Sequence, residues 1–404
     1  MMTAILFDAD IKNGGSYQMS INNLIELRNS FSNSNLKLVI FTYKKNCILD
    51  NLNIDYQIIK LSIFDYIFIL LINFILFKNL FKKFNISSIF EKKLIKKNIS
   101  LVIFLFTSYK SFLLKKVKYT STVLDVCHRE FPEFNEVGNF KTFFFREYLN
   151  KKILPSSFLI ITESQDLKVK IAKLYQLDFN KIISIPNISS KLMGIKKDYL
   201  INNVKKKYNI KNNFYFYPAQ FWEHKNHIII LKCIQKLKKK GINLYFIFCG
   251  RDKGNLKFIR KKISEYKINS NIKILNYIED KDVWALYKLS KALVMPTYFG
   301  PTNIPPVEAW SLNVPVIYSS YLKNHGKNAA LYFDPDSEDD LIKALKDLDS
   351  MKLKKKLIIA GKRRLIDIQN ERKKSLRLFI DIIRKNLFHG SNKIKKNINN
   401  ISLN

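Results

Sequence analysis

Acidic residues, glycine and cysteine are all scarce in this chain. Asp and Glu number 33 against 70 Lys and Arg, a formal net charge of +37. Such an excess first suggests a nucleic-acid partner. The lysines, however, run along the whole chain, together with heavy use of Ile and Asn and only 11 glycines. That mixture reads as an AT-rich coding sequence rather than a basic face built for DNA or RNA, so no nucleic acid is expected. The charge still favours anionic lipid headgroups and anionic substrates. The four cysteines, Cys47, Cys127, Cys233 and Cys249, form no C-x-x-C pair, which weakens both disulfide and zinc readings. The start, Met1 to Asp8, has no basic opening followed by a long apolar segment. No signal peptide is expected, and a cytoplasmic location follows. Internal repeats are missing as well.

What is present is alternation. With 404 residues, 47% of them hydrophobic, the chain is long enough for two domains of roughly 200 residues each. Short apolar runs at Ala4–Phe7, Leu36–Thr42, Leu101–Phe106, Ser121–Leu124, Phe158–Thr162 and Ile182–Ile185 predict strands, with helical patterns between them. The pattern restarts at Phe214–Pro218, Leu244–Cys249, Ile272–Leu275, Leu293–Met295 and Val314–Tyr318. Strand–helix alternation predicts an α/β fold with two parallel sheets. The expected division is 1–190, a linker at 191–213, a second domain at 214–365, a crossover helix at 366–388 and a basic flexible tail at 389–404. One apolar run, Leu61 to Phe77, is interrupted by Asp65 and Asn73 and flanked by Lys60, Lys78, Lys82 and Lys83. At seventeen residues it lies at the short limit for a membrane span. A buried or membrane-facing helix is the preferred reading.

Three loops sit at the carboxyl ends of predicted strands, where ligands of parallel sheets bind. Asn13-Gly14-Gly15-Ser16 follows the first strand. Paired glycines let backbone N–H groups approach a phosphate, although a plain turn reads equally well. The loop Pro218 to His227 carries His224, Lys225, Asn226 and His227. Zinc on His224 and His227 lacks a third ligand, so no metal is expected. The third loop runs through FGPTNIPPVEAW, Phe299 to Trp310. Proline is favourable at a helix start, so Pro305 or Pro306 is expected to open a helix with Glu308 in its first turn. Glu308 then either complements the helix dipole or binds a ligand. A cation and a helix start suit a diphosphate, and a carboxylate suits a vicinal diol, since it can accept two hydroxyl hydrogen bonds.

With these residues in view, the chain resembles the retaining glycosyltransferases of family 4. The resemblance lies in Tyr217–His227 (YPAQFWEHKNH), Gly300–Ala309 (GPTNIPPVEA), Cys249-Gly250-Arg251 and Asn276–Asp280. It is looser in Asn13–Ser16, in Asp125–Phe134 with its FPEF, and in Thr162–Ser164. It implies the GT-B fold, two facing Rossmann-like domains with a C-terminal helix returning to the first. The implied donor is a nucleotide-diphosphate sugar, with no cofactor and no metal. Lys225 and the helix start near Asn303–Pro306 would stabilise the leaving diphosphate, Glu308 would hold the ribose, and the first domain would contribute His128 from across the cleft. By the same resemblance Asn13, Gly14, Gly15, Gln220, His224, Asn226, Gly250, Tyr277, Thr302, Asn303 and Ile304 would line the donor site. The acceptor hydroxyl would attack on the face the phosphate leaves, with the leaving group as base.

Three positions depart from the wider family. Gln220 stands where many members carry Arg, Gly300 where many carry a first Glu, and Leu124 where the His of an HD pair falls. If Gly300 supplies only loop flexibility, its replacement by Ala is expected to matter less than a change at Glu308 or Lys225. Asp334-Pro-Asp336 is expected to be a surface turn rather than a metal-binding D-x-D. The expected function is transfer of a hexose to a glycan or lipid-linked glycan in surface polysaccharide assembly, at the inner face of an anionic membrane. The alternative is an inactive protein of this fold that binds a glycan or membrane surface.

Overall fold

Parallel strands need crossovers long enough to hold a helix, and the sequence supplies them at nearly every step. The computed structural model describes residues 2–9, 15–74, 79–81, 83–188, 199–210, 213–276, 278–300 and 303–388. The chain divides into two compact units. One comprises Met1–Val126, Phe143–Asn187 and Glu371–Asn404, the other Cys127–Thr142 and Ile188–Asn370.

The first unit holds a seven-stranded sheet: β1 (Met2–Leu6), β2 (Leu38–Thr42), β3 (Gln57–Ile58), β4 (Ile99–Phe104), β5 (Lys118–Val123), β6 (Leu159–Thr162) and β7 (Ile182–Ser184). Its order is β3-β2-β1-β4-β5-β6-β7, and every pair is parallel. Alternate side chains go to opposite faces. Ile5, Leu101 and Ile103 join one core, while Ala4, Leu6, Val102 and Phe104 join another. Strand β3, two exposed residues at the sheet edge, carries no apolar signal and escapes sequence reading.

The apolar run becomes a ten-residue helix, Ile63–Ile72. The polar residues that interrupt the run form its ends. Ser62 and Asp65 make a reciprocal capping box. Asp65 is fully buried, and its other carboxylate oxygen accepts from the Phe90 backbone N–H at 2.8 Å. Asn73 is the C-cap. No described helix is long and apolar enough to cross a membrane. Residues 75–78 and 82 lie outside the described residues, as does the 389–404 tail.

The second unit holds six parallel strands: β8 (Tyr215–Pro218), β9 (Phe246–Cys249), β10 (Ile272–Leu275), β11 (Leu293–Met295), β12 (Val316–Ser319) and β13 (Leu331–Phe333). The order β10-β9-β8-β11-β12-β13 reverses between β8 and β11. Helices Ile304–Ser311 and Met351–Phe388 meet where Trp310 lies under Gly361. A Cβ at Gly361 would come within 2.5 Å of the indole.

Three divisions differ from the sequence expectation. The passage expected as a linker contains the helix Tyr199–Lys207, which is docked on the second unit. Val204 is buried there, and Asp282 accepts from Lys207 and from the Tyr208 hydroxyl, each at 2.6 Å. The many lysines of this stretch disguise its single apolar face. The helix Met351–Phe388 passes from the second unit to the first at Glu371 rather than at 366. Immediately beyond, buried Arg372 donates to the Pro186 carbonyl at 2.6 Å and to Asn23 Oδ1 at 3.0 Å. Finally, Cys127–Thr142, expected with the first domain, groups with the second unit. Phe131 and Phe134 pack against Phe299, with ring centroids 5.3 and 5.8 Å away.

Candidate functional site

The carboxyl ends of β8 and β11 are neighbours at the point where the strand order reverses. That point is where open α/β sheets take their ligands. After β8 the loop ends in a 3-10 turn, Glu223–Lys225, and enters helix His227–Lys238 through Asn226. Asn226 has a φ of 53°, a left-handed conformation in which asparagine is enriched. Its amide donates to the Pro335 carbonyl at 2.8 Å, so its side chain fixes the turn. Half-buried Lys225 is thereby held at the strand end, where its Nζ donates to Asn303 Oδ1 at 3.4 Å. Burial pushes the Lys225 ammonium down to about 8, against upward pulls from Cys127 and Glu136.

His224 stacks on Phe299 with centroids 3.9 Å apart. Glu136 Oε1 accepts from the His224 backbone N–H at 3.1 Å and lies 2.7 Å from Nδ1. Burial opposes the Glu136 charge, but the His224 hydrogen bonds hold its carboxyl below the ordinary range. This pair brings an anion beside Lys225 that the loop motifs gave no hint of. The Gln220 side-chain Oε1 accepts from Trp222 Nε1 at 3.1 Å. His227 has neither ring nitrogen hydrogen-bonded among the described residues. Tyr217, Phe221 and Phe248 enclose it, and burial drives its pKa down to about 3. It is a neutral core aromatic.

After β11 the chain reaches Gly300 and then helix Ile304–Ser311, with Asn303 as N-cap. Pro305 and Pro306 follow Ile304 inside the first turn. Glu308 therefore falls in the second turn, which corrects the sequence expectation. Neither proline has an N–H. Of the donors a helix start leaves open, those of Asn303 and Ile304 remain. Glu308 Oε2 accepts from the Tyr287 hydroxyl at 3.0 Å, and that hydroxyl lies 3.3 Å from the Pro305 carbonyl. Tyr287 is fully buried in helix Asp280–Leu289.

The structure thus brings Lys225 to Asn303, with His224 beside Lys225 in the same turn and Ile304 and Glu308 on the helix that begins after Asn303. Gly250 follows β9 beneath the Ala219 carbonyl, deep inside van der Waals distance of any added Cβ, so its part is close backbone packing. His128 lies buried on the short helix Cys127–Glu130 of the second unit. The expectation that the first domain supplies it is therefore corrected. Gly15 opens the helix Gly15–Ser32. Asn13, Gly14, Tyr277 and Thr302 lie outside the described residues. Asp334–Asp336 is a turn in which Asp334 Oδ1 accepts from the Asp336 N–H at 3.0 Å.

Gly300 does more than loosen its loop. Its φ is +123°, and a Cβ there would stand 2.6 Å from Asn303 Oδ1, the atom that meets Lys225. Gly300→Ala should therefore lower folding stability by roughly 1–3 kcal/mol through backbone strain. Urea unfolding of the variant checks this; an unchanged midpoint returns Gly300 to a flexible spacer.

Comparisons with known proteins bear on the family and the fold. Residues 201–338 match the family glycosyl transferases group 1. The O-antigen chain mannosyltransferase RfbU of Salmonella typhimurium is 29% identical over 194 residues. That match covers 48% of this chain and 51% of RfbU, about half the relative's length. A glycosyltransferase from Rickettsia africae superimposes with a TM-score of 0.69 at 15% identity, covering 95% of this chain and 99% of that one. Anabaena HepE in complex with UDP-glucose gives 0.66 at 12% identity, covering 96% and 99%. The chain has the GT-B fold, and the segment that builds its switch-point site matches the family glycosyl transferases group 1.

Proposed function

We propose that this protein is a retaining hexosyltransferase that takes its sugar from a nucleotide diphosphate and passes it to a glycan or lipid-linked glycan in surface polysaccharide assembly. One observation carries the reading: a cation, Lys225, in the loop after β8, and a carboxylate, Glu308, on the helix that follows β11, at the switch point between these two strands. The likeness to an O-antigen mannosyltransferase and to a fold that holds UDP-glucose supports it. Lys225 meets the charge that develops on the departing diphosphate, together with the N–H groups of Asn303 and Ile304. Glu308 accepts from the ribose hydroxyls. The acceptor attacks on the face the diphosphate leaves, and a phosphate oxygen takes its proton.

The test is turnover. Incubated with UDP-, GDP-, ADP- and dTDP-hexoses and lipid-linked glycan from its own host, the protein should release one nucleoside diphosphate per sugar transferred. Because Lys225 supplies the cation, release should persist in EDTA. Binding without release across the panel favours the inactive alternative, and activity that returns only with added magnesium or manganese contradicts the role given to Lys225.

The same reading places the enzyme peripherally on an anionic membrane. Support comes from the first unit. Ile63, Phe64, Ile67 and Leu70 are exposed on helix Ile63–Ile72, as are Phe74 beyond it and Phe144 and Phe145 on helix Phe140–Ile153. The Tyr148 hydroxyl donates to Asn73, tying the two helices together. Exposed apolar side chains on this scale mark an interaction surface, and exposed Lys60, Lys83, Lys151 and Lys152 suit acidic headgroups. Salt at 1 M, where the Debye length is about 3 Å, should strip the protein from phosphatidylglycerol-containing vesicles. Retention until detergent is added would show that apolar insertion dominates.

A further inference from the structure

Asn303 is the N-cap of its helix, yet its side chain makes no cap hydrogen bond. Its amide is committed elsewhere. Nδ2 donates to the Gly300 carbonyl at 2.7 Å and to the Tyr318 hydroxyl at 3.0 Å. Oδ1 is thereby turned toward Lys225 Nζ. Tyr318, at the end of β12, is fully buried and takes that hydrogen bond as acceptor. A buried hydroxyl must also place its own proton, and His325 Nδ1 lies 3.3 Å away. Burial and nearby Arg364 drive the His325 ring down to about 3. The ring is therefore neutral at working pH, and Nδ1 can accept. The His325 backbone carbonyl in turn accepts from Arg364 Nε at 2.9 Å.

We propose that Tyr318 and His325 are positioning residues for Lys225, acting through Asn303. The chain has one polarity. Lys225 donates to Asn303 Oδ1, Asn303 Nδ2 donates to Tyr318, and Tyr318 donates to His325 Nδ1. Gly300 supplies the second fixed acceptor for Nδ2. Each link accounts for a residue the donor chemistry itself does not require: a buried tyrosine, a buried neutral histidine, and an N-cap asparagine that does not cap. Without the Tyr318 hydroxyl, one amide proton of Asn303 is buried without an acceptor. The amide then swings to find one, and Lys225 loses its oxygen. The proposal rests on the donor reading of Lys225.

A double-mutant cycle separates positioning from general damage. Affinity for the tightest of UDP, GDP, ADP and dTDP is measured by calorimetry in the full-length protein and in Lys225→Ala, Tyr318→Phe and the double variant. Tyr318→Phe should weaken binding about tenfold in the presence of Lys225 and not at all in Lys225→Ala. His325→Leu should repeat the Tyr318→Phe loss, and His325→Asn, which keeps an acceptor near the Nδ1 position, should recover most of it. This pair serves as the test should Tyr318→Phe fold poorly. Wild-type affinity in Tyr318→Phe and His325→Leu overturns the proposal, as do losses that add fully to that of Lys225→Ala. If Lys225→Ala itself binds like wild type, the donor reading fails first and takes this inference with it.

Discussion

Lys225→Ala should lower kcat by about 10²–10³-fold, the scale seen when one preorganised donor to a developing anion is removed. Charge on the diphosphate grows as the glycosidic bond breaks, so the ammonium matters more in the transition state than in the bound donor. Donor affinity should fall less than kcat. The pH dependence follows from the lowered pKa. Below about 8 the ammonium is present; above it the proton is lost. On its basic limb, kcat/KM should therefore fall about tenfold per pH unit above roughly 8, because this ratio reports the free enzyme. Lys225→Arg, charged throughout, should lose that limb even if its geometry lowers the plateau. A profile that stays flat to pH 9.5 in the wild type would show that the Lys225 ammonium keeps its proton there, and so contradict the lowered pKa.

Glu308→Gln should lower donor kcat/KM by roughly ten- to more than a hundredfold, with folding intact. An amide accepts through one oxygen and presents donors on the other side. Charged hydrogen bonds are worth about 1.5–3 kcal/mol, and each 1.4 kcal/mol is tenfold. The helix-capping alternative is now harder to sustain. Glu308 lies in the second turn, and dipole effects fade beyond the first. It predicts almost no loss of stability and none of activity. Tyr287→Phe, which removes the hydroxyl that donates to Glu308 at 3.0 Å, should give a smaller loss in the same direction. Steady-state kinetics beside urea unfolding distinguishes the two accounts, since wild-type kcat/KM in Glu308→Gln leaves the carboxylate a cap.

Both sheets could be read from the sequence because buried parallel strands are nearly continuous apolar runs. The exceptions are informative. β3 is two exposed residues, and β13 is three residues that follow a short helix, so neither offers enough periodicity to read. The two loops at β8 and β11 were legible because glycine, proline and polar residues stand out after an apolar strand. Their support was not. Tyr287, Tyr318 and His325 are buried and lie in other elements, and nothing in the local sequence separates a tyrosine that orients a carboxylate from one that fills a core. The family resemblance put His128 in the first domain, and Glu136 falls within the span expected for it. The aromatic packing of Phe131 and Phe134 on Phe299 puts their segment with the second unit. Asp65 looked like an interruption of an apolar helix, yet with Ser62 it forms the capping box that starts it.

Thermal and chemical stability measured with UDP, GDP, ADP and dTDP tests the donor site most directly. A ligand that binds only the folded protein adds about 2.7 kcal/mol at a hundred times its dissociation constant. One of the four should do so in the wild type, and the gain should largely vanish in Lys225→Ala and Glu308→Gln. No gain with any of them, or an undiminished gain in both variants, would contradict a donor site at the β8–β11 edge.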